Sequence, residues 1–443
     1  MQNPLRNSII ATLLASAFMS LNAGASDLLQ IYKDALANDA QFGSARALKT
    51  AGQERSVQGR AGLMPTIGLG GSTTQTKSDN DPDIGASSSA TTKSNGYTLT
   101  LSQPLFRWAN WQQYEQGKLS VVASDAQFSQ AQEDLIVRVS QAYFDVLASQ
   151  DTLKTLQAQK LAISEQLASA KRNFEVGTST ITDSHEAQSR YDLVVAQEFA
   201  GEGDLAIKRA ALQQIIGRDA GDLSSLKGGV QLTGPQPAQM SDWVGSAEKQ
   251  NFNVVASEVA VEIAKKDISK SRAGHYPTLD LIASTGRTTN SGDIRTFNGT
   301  NKPNTIGVQW NVPIFSGFAV NSRVRESIAL EDKARQDLET ARRAAAQASR
   351  QSYVGVTSGL AQIKALEAAE ISSQSALDSN KLGYQVGVRI NIDVLNAQQQ
   401  LSTTRQNLAK ARYDAIMSGL RLKSAAGILK EQDLSEVNAL LQH

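Results

Sequence analysis

The sequence predicts a mixed α/β membrane protein, internally duplicated, in which pairs of strands alternate with very long coiled-coil helices. Three observations carry that expectation. Residues 60–73 (RAGLMPTIGLGGST) and 272–285 (RAGHYPTLDLIAST) share eight identities in fourteen positions at an offset of 212, so one half of the chain repeats the other. Apolar and polar residues alternate with period two after each copy, as in half-buried strands. Each strand pair then gives way to a seven-residue apolar pattern that persists far beyond the length of an ordinary helix, the mark of a coiled-coil seam.

At the beginning, Arg6 precedes an apolar run over 9–21, and Ala23, Gly24 and Ala25 form an A-x-A site. Residues 1–25 are therefore expected to be a cleaved secretory signal, with the mature chain starting near Ser26. No later stretch approaches the roughly 20 apolar residues of a spanning helix, so a membrane crossing must use strands. The chain has no cysteine and a net charge of +1. This excludes disulfides and thiolate chemistry, and it gives no footing for nucleic-acid binding.

The first repeat is expected over 26–220. In its strand hairpin, about 64–106, Ile67 and Leu69 alternate with Thr66 and Gly68, while Tyr97, Leu99 and Leu101 alternate with Thr98 and Thr100. The second repeat, 251–429, has the same hairpin at about 276–315, with Leu279 and Leu281, then Ile306, Val308, Trp310 and Val312. Four strands result, each with one apolar face. The polar segments 74–95 and 286–304 read as solvated hairpin loops.

Phe128, Ala131, Leu135, Val139, Ala142, Val146, Leu153, Leu156, Ile163, Leu167, Ala170 and Phe174 then fall on one 3/4-spaced stripe, with Ser149 and Lys160 in its gaps. A continuous helix over 108–173 would be about 100 Å long at roughly 1.5 Å per residue. A matching stripe runs from Val394 to Leu429. The helices turn back near Gly177 and Gly387, within the paired segments VGTSTITD and VGVRINID. Residues 221–250 read as a crossover between halves and 430–443 as a short irregular tail.

The repeat offset is 212 at the first landmark, 209 from Phe106 to Phe315 and 210 from Gly177 to Gly387. The first interval thus varies as a surface loop does, whereas the second is held to one residue, as a length fixed by geometry would be. Four strands cannot span a membrane alone, because an open edge in lipid leaves backbone groups unpaired. Partners must close the sheet, at eight strands in a dimer or twelve in a trimer.

These parts, in this order, resemble the outer-membrane efflux protein family of the TolC type over essentially the whole mature chain. The segments LLQIYKDALAND (28–39), RAGxxPT, VPIFSG (312–317), VGTSTITD (176–183) and above all GYQVGVRINIDVLNAQQQL (383–401) carry the likeness. The resemblance implies a homotrimer whose twelve strands, four per chain, form a transmembrane β-barrel continued by a long α-helical periplasmic barrel. It implies an exit duct in the cell outer membrane of a Gram-negative bacterium. Its expected partners are a periplasmic adaptor, an inner-membrane transporter of ABC or RND type, and outer-membrane lipid. The expected cargo is small molecules or polypeptides, with no cofactor and no enzymatic activity. The competing expectation is a secreted periplasmic coiled-coil structural or adaptor protein.

The resemblance also implies roles for particular residues. Thr182 and Asp183 on one helix pair, and Tyr384 and Arg389 on the other, match positions that latch the periplasmic end shut. An Arg fork and a phenol can hold a neighbouring carboxylate through weak, partly exposed links. Asp183 can equally cap the helix after its glycine turn. Asp393 is expected at the tunnel constriction, where three carboxylates would favour cations and raise one another's titration range. Asn396 stands one turn on, where a second Asp is common in the family. Asp393 too can be read as a cap. Phe106, Trp108, Trp111, Phe315 and Phe318 suit either a membrane interface or packing at the strand-to-helix junction. His185, His275 and His443 are scattered without ligand spacing, and no nucleophile triad or phosphate loop stands out.

Overall fold

The computed structural model describes residues 25–292 and 298–442. The expected signal segment up to Gly24, part of the second hairpin tip (293–297) and His443 lie outside the described residues. Two short helices open the chain. Asp27 caps α1 (Leu28–Asn38), and Asp39 caps α2 (Ala40–Ala61) by accepting from the Phe42 backbone N–H at 2.6 Å. The RAGxxPT motif is the exit from a helix into a strand: α2 ends at Ala61 and Pro65 directly precedes the strand that follows. Its second copy ends α6 (Phe252–Arg272), with Pro277 before the next strand.

β1 (Thr66–Asn80) pairs antiparallel with β2 (Ser88–Phe106), which pairs antiparallel with β3 (Thr278–Gly292). The two hairpins are thus stitched into one sheet within the chain. β3 also pairs with β4 (Gly299–Asn301) and β5 (Asn304–Asn311). These are one strand path interrupted at Lys302 and Pro303, because proline has no N–H for the ladder. The expected fourth strand is therefore split.

The expected loops are a second difference. Pairing continues without a break from Thr66↔Ser102 to Asn80↔Ser88, so most of 74–95 is strand and only 81–87 connects. In the second copy β3 runs on to Gly292. Threonines stiffen this stretch toward extended backbone. Both its faces are polar because it projects past the apolar belt.

α3 (Trp108–Glu175) and α4 (Ile181–Ile216) form the first long hairpin, α7 (Ala319–Gln385) and α8 (Asn391–Ala425) the second. α3 and α7 are 68 and 67 residues long. Near the sheet, α3 lies against α2 and α6; toward the glycine turns it lies against α4 and α8. The approach of α2 to α3 is so close that a Cβ on Gly117 would meet the Arg55 carbonyl oxygen at 2.6 Å, which only glycine permits. The predicted stripe is buried from Leu135 to Ala170 except at the half-buried Leu153, whereas Phe174, nearest the turn, is 43% exposed. Of its polar gap-fillers, Ser149 donates to Asp204 at 2.8 Å and Lys160 pairs with Glu198.

Halfway along α3 both helix faces are buried. Tyr143, Phe144 and Leu147 sit at or below 1% exposure, with Phe144 stacked on Tyr413 of α8 at 5.5 Å. The chain ends and the crossover wrap this point. Ser26 bridges to Leu223, Leu226 bridges to Leu441, and the Tyr143 hydroxyl donates to the Ser224 carbonyl at 2.8 Å. The crossover ends in α5 (Met240–Gln250). The tail, expected to be irregular, contains α9 (Glu431–Asn438), held because Asn438 and Asp27 hydrogen-bond across 411 residues.

Candidate functional site

The two glycine turns are superposable in their hydrogen bonding. Gly177 and Gly387 adopt φ of 77° and 78°, a region that penalises every other residue. The Gly177 N–H donates to Phe174 and the Gly387 N–H to Tyr384; the N–H groups of Thr178 and Val388 each reach back five residues at 2.8 Å. At the 210-residue offset the side chains nevertheless diverge. Thr180 corresponds to Ile390 and Ile181 to Asn391, while Asp183 and Asp393 are the same residue in different surroundings.

In the first copy the turn closes on itself. Thr180 caps α4 by accepting from the Asp183 N–H at 3.4 Å, and the Asp183 carboxylate accepts from the Thr180 N–H at 3.2 Å. Within the protomer Asp183 is thus a capping-box residue, and it contacts neither Tyr384 nor Arg389. Thr182 is exposed.

In the second copy Ile390 cannot cap, so the Asp393 carboxylate is released from that duty. It faces Arg389 one turn back at 3.8 Å, in a partly exposed pair. Tyr384 accepts from the Asn173 amide at 3.3 Å. Asn396 accepts from Arg190 of α4 at 3.0 Å.

The residue that sequence reasoning missed is Asn391. It is fully buried; its amide donates to the Asp183 carbonyl at 3.2 Å and its oxygen accepts from Gln166 of α3. One side chain therefore ties the start of α8 to both helices of the first hairpin. Higher up, Gln159, 1% exposed, donates to Gln399 at 2.6 Å. The hairpins are joined near the tip by Leu395, which packs into an apolar cluster with Ile163, Leu167, Ala170, Ala187 and Val194, by neutral amides, and at Arg190 by one charged donor. Such links hold register at less electrostatic cost than a buried charge, which needs a counter-charge, although the Gln159 side-chain oxygen is left buried without a partner. The signal for Asn391 was present in the sequence: the repeat puts an amide where the first copy has an isoleucine.

The sheet supplies the other half of the site. Directly opposed residues share a face, so Ile67, Leu69, Leu99, Leu101, Ile306 and Val308 lie on one side. The opposite side carries Gly68, Gly70, Ser72, Thr98, Thr100 and Ser284. Among the described strand residues, the only charge on that second side is Asp280, which is 8% exposed and clamped by Arg107 in two hydrogen bonds of 2.8 and 2.6 Å. The sheet thus has one apolar face and one face of hydroxyls and bare backbone.

The family model for outer membrane efflux proteins matches residues 31–218 and 243–428, one segment per repeat. The chain belongs to the outer membrane efflux protein family. It is 33% identical over 420 residues to outer membrane protein TolC of Vibrio cholerae, covering 94% of each chain. It is 32% identical to the alkaline protease secretion protein AprF of Pseudomonas aeruginosa, covering 97% of this chain and 91% of that one. Among solved structures, the outer membrane protein VceC from Vibrio cholerae superposes with a TM-score of 0.78 at 18% identity, covering 90% of this chain and 96% of that one. The Campylobacter jejuni CmeC outer membrane channel gives 0.79 at 18%, covering 94% and 90%. The efflux-family fold and the outer-membrane location expected from the sequence are therefore correct. The rival reading of a secreted structural or adaptor protein is set aside.

In efflux-family terms the protein is an outer-membrane exit channel. It lies in the outer membrane and extends into the periplasm.

Proposed function

We propose that three copies close their sheets into a twelve-stranded barrel and their long hairpins into a periplasmic tube, through which small molecules or polypeptides leave the cell. The observation that carries this reading is the pair of open edges. Among the described residues β1 pairs only with β2, and β4 and β5 pair only with β3, on a sheet whose one face is apolar and whose other is hydroxyl-lined. The apolar face meets lipid and the hydroxyl face lines the pore. Strands of 15 and 19 residues exceed the 9–11 or so that a bilayer requires, so their outer ends stand clear of it. At the other end Trp108 and Trp111 are 38% and 46% exposed and Phe315 and Phe318 more so, which suits a belt at the inner membrane interface.

Energy must come from elsewhere, from an inner-membrane transporter of ABC or RND type coupled through a periplasmic adaptor. The docking surface proposed for the adaptor is the apolar rim of the two turns, where Val176, Val386, Val388 and Ile390 are all more than 60% exposed. The domain limits follow the repeats: 26–220, crossover 221–250, 251–429, tail 430–443. Thr182 and Asp183 of one protomer meet Tyr384 and Arg389 of the next as the latch, so Asp183 caps its own helix and serves the neighbour's. Asp393 forms the constriction ring with its charge moderated by Arg389, and Asn396 adds a neutral layer. Opening is an iris-like separation of helix pairs.

Single-cysteine pairs on the two edges test the closure, since the chain has no cysteine of its own. Leu69→Cys with Ile306→Cys should cross-link between copies into closed trimers resistant to denaturant. A ladder that stops at dimers, or cross-links only within one chain, sinks the trimer.

A further inference from the structure

The lipid-side face carries chemistry above its apolar belt that the duct does not use. In register with Gly71 of β1, Tyr97 of β2 stands opposite Arg287 of β3. One row further from the helices come Thr73, Asn95 and Thr289; in the next row Lys93 lies between Gln75 and Ser291. Gly71 contributes no side chain, so a concavity forms there, lined by Tyr97, Arg287, Asn95, Thr73 and Thr289. Arg287 is exposed, and neither it nor Lys93 has a hydrogen-bond or acidic partner among the described residues. Lys77, the next cation outward, is instead matched by Asp79 at 3.5 Å.

We propose that this notch binds the phosphate of an outer-leaflet lipid, held between the Arg287 guanidinium and the Lys93 ammonium, with its acyl chains lying along the Leu69–Leu99 belt. The inference rests on the reading that the apolar face meets lipid. Four residues of strand separate the Arg287 and Lys93 rows, about 13 Å at roughly 3.3 Å per residue, a gap two long side chains can close over one anion from both sides. The row between them is short and polar, so Asn95 and Thr289 add donors without filling the space. A cation on a barrel's outer face is costly in the hydrocarbon and nearly free at the interface. Tyr97, the row's aromatic, marks that interface level. The group at that depth with the complementary charge and fork geometry is a lipid phosphate, which a guanidinium binds bidentately. A soluble protein partner would have to reach a surface bordered directly by acyl chains.

The test is native mass spectrometry of the detergent-purified assembly titrated with lipid A, a phosphorylated glycolipid, with dephosphorylated lipid A and inorganic phosphate as comparisons. The wild type should retain the phosphorylated lipid. The double variant Arg287→Gln/Lys93→Gln should weaken that retention at least fivefold with oligomeric state and conductance unchanged. Retention by the double variant equal to wild type overturns the proposal. So does protection from thermal unfolding by millimolar inorganic phosphate equal to that by the lipid, which would make the notch a free-anion site. Spin-labelled Leu99→Cys in vesicles separates the two readings. If its label is accessible to oxygen but not to a water-soluble relaxant, the face meets lipid, and a failure to bind belongs to the notch alone.

Discussion

The equator and the tip of this molecule are held together by very different amounts of buried apolar contact. At the equator the chain termini, the crossover and α3 share one apolar core, with Tyr143 and Leu28 fully buried and the charged pair Arg138–Asp39 bidentate at 3.1 and 2.9 Å. At the tip the hairpins meet through a small apolar cluster around Leu395 and a few single polar links, Asn391 to Asp183 and Gln166, Asn173 to Tyr384 and Arg190 to Asn396. The difference teaches where motion is affordable. A region fixed by burial loses several kcal/mol when one ring is removed, whereas a region fixed by polar links can separate stepwise at about 1 kcal/mol each.

The strongest challenge to that contrast is Phe144→Ala, which should cost about 3–5 kcal/mol and lower the thermal midpoint of the assembly by many degrees. A loss below about 1 kcal/mol would mean that the equator is not the clamp. A pH series comes next. Glu133 is 2% exposed, and burial pushes its carboxyl up to about 8, against the hydrogen bonds it accepts from Leu429 N–H and Ser424. Its folded value exceeds its unfolded one near 4.5, so the folded state holds the extra proton between them and stability should fall as pH rises through that window. Glu133→Gln should flatten that slope in thermal unfolding from pH 5 to 8.5. Asp39 works the other way: burial raises it, but Arg138 and the Phe42 N–H outweigh burial and hold it below the usual carboxylate range, so its contribution fades only as pH falls below that range.

At the tip, Asn391→Ala should cost about 1–3 kcal/mol, because it strands Gln166 and the Asp183 carbonyl, yet its main readout is functional. Planar-bilayer conductance of the resting channel should rise while the equatorial unfolding midpoint stays within a degree or two. An unchanged conductance would remove Asn391 from the gate. Thr180→Ala breaks the capping box at about 1 kcal/mol and should fray α4 by hydrogen exchange without opening the channel as widely. The smallest effect belongs to Arg389→Gln. Its partly exposed pair with Asp393 is worth about 0.2–1 kcal/mol within one protomer. A conductance change far above that scale would point to contacts between protomers.

The elements were legible because periodicity is a local property. The helix from Trp108, the glycine turns and the apolar strand faces all follow from spacing within a dozen residues or so. The polar strand ends over 74–80 were not, because alternation vanishes where both faces are wet and only pairing with 88–94 keeps the backbone extended. Helix α9 was missed for a similar reason: eight residues give too short a pattern, and Asp27 holds it from the far end of the chain. At the tip the sequence pointed to residues around the two glycine turns but could not say which bonded to which. Asp183 turned inward to Thr180, while the links spanning hairpins run from Asn173 to Tyr384, from Arg190 to Asn396 and through the unforeseen Asn391.

The seam between β2 and β3 lies inside the chain, whereas β1 and the β4–β5 path each have an outer edge with no pairing partner among the described residues. A lone copy entering lipid would carry two rows of bare amides and carbonyls, each costing several kcal/mol in hydrocarbon. Insertion is therefore expected to wait for a full set of copies. The yield of mature channel should then rise steeply, faster than linearly, with the number of chains delivered to the membrane, and a cell making a little too few would have almost none.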